Sequence, residues 1–256
     1  MQNIDAVISE LESIIATCIA ENNRAGYFAA LYHRVTCRIK EGILKNEFGD
    51  NARMERLDVL FAGRYIDAWK QVRSGKRPSL SWDVAFGTAK NNNAVILQHL
   101  LLGINAHINL DLGIAAAETM KGYPLQDVQK DFNSINNILA TLVNEVQDNI
   151  GKVSPCMFLF DNFCRNYDEM VVCFSIDTAR EGAWIFANEL SGKTGTDYDN
   201  CTGIRDHAIA ALGEQLRVSK GFLSFILKIV RWCEWYKPAD VIAKLKYAAA
   251  QAAQKI

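Results

Sequence analysis

Proline is scarce, with 4 in 256 residues, too few for a loop-rich β fold or a proline-rich linker. An excess of one charge is lacking too. Lys and Arg total 28 against 29 Asp and Glu, with no basic stripe and no acidic tail. A nucleic-acid-binding face is ordinarily basic, so no nucleic-acid partner is expected. No stretch reaches the 18 or so apolar residues of a membrane span, so no transmembrane segment is expected. The opening MQNIDAVISELESIIATCIA has early acidic residues and lacks the basic start and apolar centre of a signal peptide. The 7 cysteines (Cys18, Cys37, Cys156, Cys164, Cys173, Cys201 and Cys233) are odd in number, irregularly spaced and form no C-x-x-C pair. Reduced thiols and a cytoplasmic location fit that pattern better than a secreted disulfide framework. Walker loops, dinucleotide fingerprints and G-x-S-x-G elbows are absent. SGKTGT at 191–196 holds G-K-T without the earlier glycine or a preceding strand.

What is present is apolar periodicity of the helical kind. Half of the residues are hydrophobic and 22% are charged, enough for a substantial core. Ile4, Val7, Ile8, Leu11, Ile14 and Ile15 mark a first amphipathic helix. A second runs from about Tyr27 to Asn46, and a third from about Arg53 to Val72 with Asp50 or Asn51 as its cap. Ser81 is placed to cap a short helix through Phe86. A central helix is expected from about Asn92 to Met120. Asp111 is the one formal charge between Lys90 and Glu118, so this helix must be covered on all sides. Further helices are expected at about 125–150, 156–167, 169–190, 204–216, 219–236 and 238–254. SGKTGTDYDNCTG has no apolar periodicity and reads as a mobile loop at 191–203. The fold expected is all-α, a multi-helix antiparallel bundle around a buried central helix. Residues 1–190 form its core and 204–256 pack on it as C-terminal helices.

The chemistry-bearing residues concentrate on the central helix. Residues four apart share a helical face, so Gly103, His107 and Asp111 line one strip, while Asn105 and Asn109 lie on the opposite flank. Burying an imidazole and a carboxylate costs several kcal/mol, roughly, unless each is paired, hydrated or metal-bound. H-x-x-x-D can offer both side chains to one divalent ion, zinc, manganese or magnesium. A hydrogen-bonded network that fixes helix register is the other use of the same residues. Asp58 and Tyr65 share one face of the third helix, and Asp177 lies three residues before Arg180. If these converge on His107 and Asp111, the four would serve as catalytic residues around a metal held by that pair.

LYHRVT (31–36), RLDVLFAGRYIDA (56–68), LLGINAHINLDLGIA (101–115), DFNSIN (131–136) and AREGAW (179–184) resemble an uncharacterised all-helical family, a domain of unknown function, over about residues 28–188. N-A-H-I-N-x-D-L is the most specific of these segments. LGINAHINLD is also similar to the L-G-x-x-x-H-x-x-x-D helix of zinc-dependent phospholipase C and the S1/P1 nucleases. That resemblance implies His107 and Asp111 as zinc ligands. The chain departs from those enzymes in having 4 histidines in all and Gly113, Ile114 and Ala115 where they carry P-x-H. At most one metal is therefore implied.

Three functions follow from these readings. The first is a metal-dependent hydrolase of phosphoesters or apolar small molecules, with Arg180 neutralising an anionic group. The second is a non-enzymatic binding or structural protein whose polar cluster is a buried network. The third is a metal-free lyase or cyclase with a helical cavity. GFLSFILKIVRWCEWYK (221–237) reads as a packing helix with snorkelling Lys228 and Arg231. A membrane-surface helix and a homodimer interface through Trp232, Trp235 and Tyr236 are its alternative uses.

Overall fold

The computed structural model describes residues 2–135, 150–157, 159, 175–218 and 221–247. Asn3 opens the first helix by accepting from the Ala6 amide at 2.9 Å. Helix α1 (Ile4–Ala20) buries Ile4, Val7, Leu11, Ile14, Ile15 and Cys18, the stripe its spacing predicts. α2 (Gly26–Leu44) and α3 (Asn51–Arg73) follow, and Asp50 caps α3 by accepting from the Arg53 amide at 3.0 Å. α4 (Leu80–Ala89) is not capped by Ser81 as expected. The Asp206 carboxylate reaches across from a later helix and accepts from the Leu80 and Ser81 amides at 2.7 and 3.0 Å. A full negative charge suits the positive end of a helix better than a hydroxyl does.

The central run comprises α5 (Ile96–Ala106), a π-helical turn (His107–Leu112) and α6 (Gly113–Thr119). By length and composition Ile96–Thr119 could cross a membrane, with a mean hydropathy of 1.4, but 83% of its most apolar stretch is buried inside the protein. It is a core helix, covered on all sides as expected. A 3₁₀ turn (Leu125–Val128) comes next, then α7 (Ile176–Leu190), capped by Ser175, and α8 (Gly195–Arg217). α9 (Gly221–Cys233) and α10 (Pro238–Tyr247) complete the chain described. Among the described residues there is no strand. Most of the helices expected at 156–167 and at 125–150, and the opening of that at 169–190, lie outside the described residues.

The loop expected at 191–203 is mostly helix. Only 191–194 break the chain, and α8 starts at Gly195. Its first turns hide their periodicity because the inward positions are Tyr198, Cys201 and Arg205 rather than aliphatic residues. Tyr198 and Cys201 pack on the cluster of Leu110, Ile114, Phe186, Leu190 and Ile209. α8 also packs on α4 and α5, so the expected boundary at 203–204 falls inside one helix. Leu223, Val230, Val241, Ile242 and Leu245 share a single apolar core with Val7 and Leu11, which makes α9 and α10 integral to the bundle.

The expectation of reduced thiols is also overturned. Cys156 and Cys233 form a disulfide across 77 residues of sequence, while Cys18, Cys37 and Cys201 are free. Such a pairing is a property of tertiary structure that spacing does not reveal. The cytoplasmic expectation drew on reduced thiols as well as on the N-terminal sequence and the lack of a membrane span, and this bond removes the first of those grounds.

Two glycines set how closely α5 and α6 are approached. A Cβ on Gly103 would lie 2.5 Å from the Phe28 ring, and one on Gly113 would lie 2.7 Å from Phe186 and 2.8 Å from the Ala183 carbonyl. Gly103→Ala and Gly113→Ala should each destabilise the protein by about 1–3 kcal/mol through overpacking, read from urea unfolding. Gly87→Ala, with nothing near its Cβ, is the control. Reduction with dithiothreitol should lower Tm by about ten degrees, because opening a 77-residue loop forfeits about 4 kcal/mol. Cys233→Ser should reproduce the loss and abolish the sensitivity to reductant.

Candidate functional site

The π-helical turn coincides with H-I-N-L-D-L, and such turns carry i→i+5 hydrogen bonds that locally widen the helix. Its polar residues divide between two flanks. On one, Asn109 donates to Asn105 Oδ1 at 3.0 Å, and Asn105 donates to the Ile209 carbonyl at 3.0 Å. Arg205 donates to the Asn109 carbonyl at 3.0 Å, with its guanidinium over the Phe186 ring. This flank ties α8 to the central helix by one side-chain-to-backbone bond in each direction.

The other flank centres on the Asp111 carboxylate, which is 1% exposed. Oδ1 accepts from Arg64 Nε at 2.7 Å. Oδ2 accepts from Trp82 Nε1 at 2.8 Å and lies 3.3 Å from His107 Nδ1. Burial alone would raise the pKa of this carboxyl. The Arg64 guanidinium and the His107 hydrogen bond outweigh burial and hold it below its ordinary value. Asp111 is thus ionised and accepts all three bonds, so the His107 proton sits on Nδ1 and Nε2 presents a bare lone pair.

That lone pair is buried and has no hydrogen-bond partner. Phe61 stacks on the His107 ring at 3.6 Å, Tyr32 meets it edge-on at 4.3 Å, and Phe28 does so at 5.5 Å. Burial lowers the His107 pKa, so the imidazole is neutral near pH 7. Other unpartnered polar groups lie on the helices that flank it. Asp58, on the same face of α3 as Phe61 and Tyr65, is 1% exposed, and neither carboxyl oxygen has a donor. Burial, helped by Glu55, pushes its pKa to about 8. Burial raises the pKa of the Tyr32 phenol, Asp58 is close enough to raise it further, and the Thr36 hydroxyl acts in the opposite direction. Tyr65 packs on Phe28 and Trp82 and also leaves its hydroxyl unpartnered.

Of the six residues singled out from sequence, His107, Asp111 and Tyr65 thus come together in one polyaromatic region, and Asp58 neighbours it through Tyr32. Asp177 and Arg180 do not join them. Asp177 is exposed in the first turn of α7. Arg180 is buried with its guanidinium over the Phe132 ring and donates to the Phe132 carbonyl. Burial lowers its pKa to about 10. Asp131 belongs to a loop clamp, accepting from the Gly49 and Asp50 amides at 2.7 and 3.2 Å. His99 lies apart from His107, edge-on to Tyr27. Arg64, Trp82, Tyr32 and Phe61 were not recognised as site residues from sequence. The one available signal was Arg64 within F-A-G-R-Y, about one turn after Phe61 and next to Tyr65.

The donor set does not fit a divalent ion. Both Asp111 oxygens are engaged, His107 faces Asp111 through a protonated nitrogen, and Arg64 already supplies the neutralising cation. No group of three or more His, Cys, Asp or Glu among the described residues is arranged to hold a metal.

These features define an all-helical domain with a buried acid–base cluster on a π-helical turn of its central helix. The chain belongs to a family of unknown function (DUF5995), whose profile matches residues 4–219. The match extends beyond residues 28–188 on both sides and includes all of α8. No curated protein and no solved structure matches the chain.

Asp58 carries a pH signature. Its pKa is about 8 in the fold against an ordinary value of 3.8. The stability it contributes is complete below pH about 4 and is lost as pH rises towards about 8, since only the unfolded chain ionises in between. Urea unfolding across that range should show a decline on the order of a few kcal/mol that Asp58→Asn flattens. Glu234, raised by burial to about 7, adds a decline of the same sign in parent and variant alike.

Proposed function

We propose that the His107 region binds a small, largely apolar molecule and moves a proton on it without a metal, as a lyase or cyclase does. The observation that supports this reading is the division of labour on one imidazole. Nδ1 is locked by an ionised Asp111, while Nε2 is buried, unprotonated and unpartnered. An imidazole so held is a general base, and the carboxylate behind it stabilises the imidazolium formed when Nε2 takes a proton. Arg64 and Trp82 act as positioning residues through Asp111. Asp58, protonated at neutral pH, and the Tyr32 hydroxyl supply hydrogen-bond donors for an oxygen of the bound molecule. Phe28, Phe61 and Tyr32 supply its apolar surroundings. A solvent-excluded aromatic setting strengthens each of these interactions.

A second reading, a purely structural network, is favoured by the three bonds that saturate Asp111 and by the close parallel packing of Phe61 on His107. One experiment separates the two. Long-range ¹H–¹⁵N NMR of the imidazole should show His107 neutral and protonated at Nδ1 at pH 7. Addition of phenol or cyclohexanone should shift Nε2, and Asp58→Leu should abolish that response. A His107 that titrates like a free imidazole, or Nε2 signals unmoved by either probe, defeats the catalytic reading. The structural reading predicts the unmoved signals together with a loss of about 1–3 kcal/mol in His107→Ala.

A further inference from the structure

α9 has two faces, and packing accounts for one of them. Leu223, Ile226, Leu227, Val230 and Cys233 are buried in the core. The outward positions are Phe225, Lys228 and Trp232, three and four residues apart, with Trp235 and Lys237 just past the helix end. Trp232 is 85% exposed and Trp235 is 68% exposed. Scattered exposed apolar residues are ordinary, but two large indoles left in water three residues apart mark a surface that something else covers.

This ridge is held firmly from behind. Cys233 is tied to Cys156, and Arg231 Nε donates to the Asn92 carbonyl at 2.6 Å. The Glu234 carboxylate accepts from the Ile96 amide at 3.2 Å and from Ser154 Oγ at 2.8 Å. The same contacts make its charge one-sided. Arg231 and Glu234 are turned inward, and Glu234 is the sole carboxylate in 221–237. Lys228 and Lys237 are exposed, and neither has an ion-pair partner among the described residues. The next carboxylate, Asp240, lies in the first turn of α10.

We propose that this ridge docks the protein on an anionic lipid surface. Trp232 and Trp235 sit at headgroup depth, and Lys228 and Lys237 meet lipid phosphates. Indoles favour the membrane–water boundary, and lysines beside them add an attraction that salt screens. A second copy of the chain suits the ridge less well. A two-fold contact through it would set lysine against lysine with no outward carboxylate from the same segment.

The test is co-sedimentation of the full chain with phosphatidylcholine vesicles and with phosphatidylcholine–phosphatidylserine vesicles, together with tryptophan emission. Binding should favour the anionic vesicles by about tenfold or more, weaken with salt and shift emission to the blue. Trp232→Ala/Trp235→Ala should lower that binding about tenfold or more, and Lys228→Gln/Lys237→Gln should remove most of its salt dependence. Both pairs replace exposed side chains, so circular dichroism should match the parent. Equal binding to the two vesicle types, no binding to either, or full binding by the Trp double variant overturns the proposal. So does a lipid-free dimer that the Trp double variant dissolves, which would assign the ridge to a second copy.

Discussion

A carboxylate in an apolar core is tolerated only when other groups surround it with compensating charge and donors, and the bundle is organised around one such group. Asp111 receives a guanidinium from α3, an indole N–H from α4 and an imidazole from its own π-helical turn. Three elements are thereby registered against one another by a single anion. Attraction between buried charges repays their desolvation only with geometry of this quality, and removal of one partner leaves the other exposed to the full cost. The orientation of His107 is a consequence. With Asp111 ionised, the imidazole can satisfy it only by turning Nδ1–H towards it, which points Nε2 into the aromatic side of the bundle.

The opposite flank of the same turn shows why the N-A-H-I-N-x-D-L segment is more than a site. Asn105 holds the α8 backbone at Ile209 while the Arg205 side chain of α8 donates to the Asn109 carbonyl, and Gly103 and Gly113 admit Phe28 and α7 to distances that no Cβ allows. Phe28, admitted by Gly103, is one of the rings around His107. Packing and polar chemistry are therefore specified by interleaved residues, and changing either disturbs the other.

Much of the fold was legible because apolar spacing is a local signal. The stripe on α1, the Asp50 cap, the all-round apolar central helix and the separation of His107 and Asp111 from the two asparagines all follow from periods and short-range chemistry. What was illegible is non-local. Asp206 caps α4 from more than a hundred residues away, Cys156 finds Cys233, and Trp82 finds Asp111. The start of α8 reads as a loop because its inward side chains there, Tyr198, Cys201 and Arg205, are only partly buried and break the aliphatic period. Asp177 and Arg180 were grouped with the site on spacing alone, and tertiary packing sends one to solvent and the other to Phe132.

The buried carboxylates, compared with one another, bear on what the site is for. Asp131, Asp206 and Glu234 each accept from two or more donors, and Asp111 accepts from three side chains. Asp58 is the exception among the described residues, with neither oxygen partnered. A fold that saturates its other buried acids shows no general tolerance for unsatisfied ones. A structural network would gain from giving Asp58 a donor or replacing it with leucine, since an unpartnered buried acid costs stability and here is kept neutral only by its raised pKa. Unsatisfied groups persist where function opposes stability. On the reading proposed above, its place beside Tyr32, whose ring meets His107, links that deficit to the imidazole.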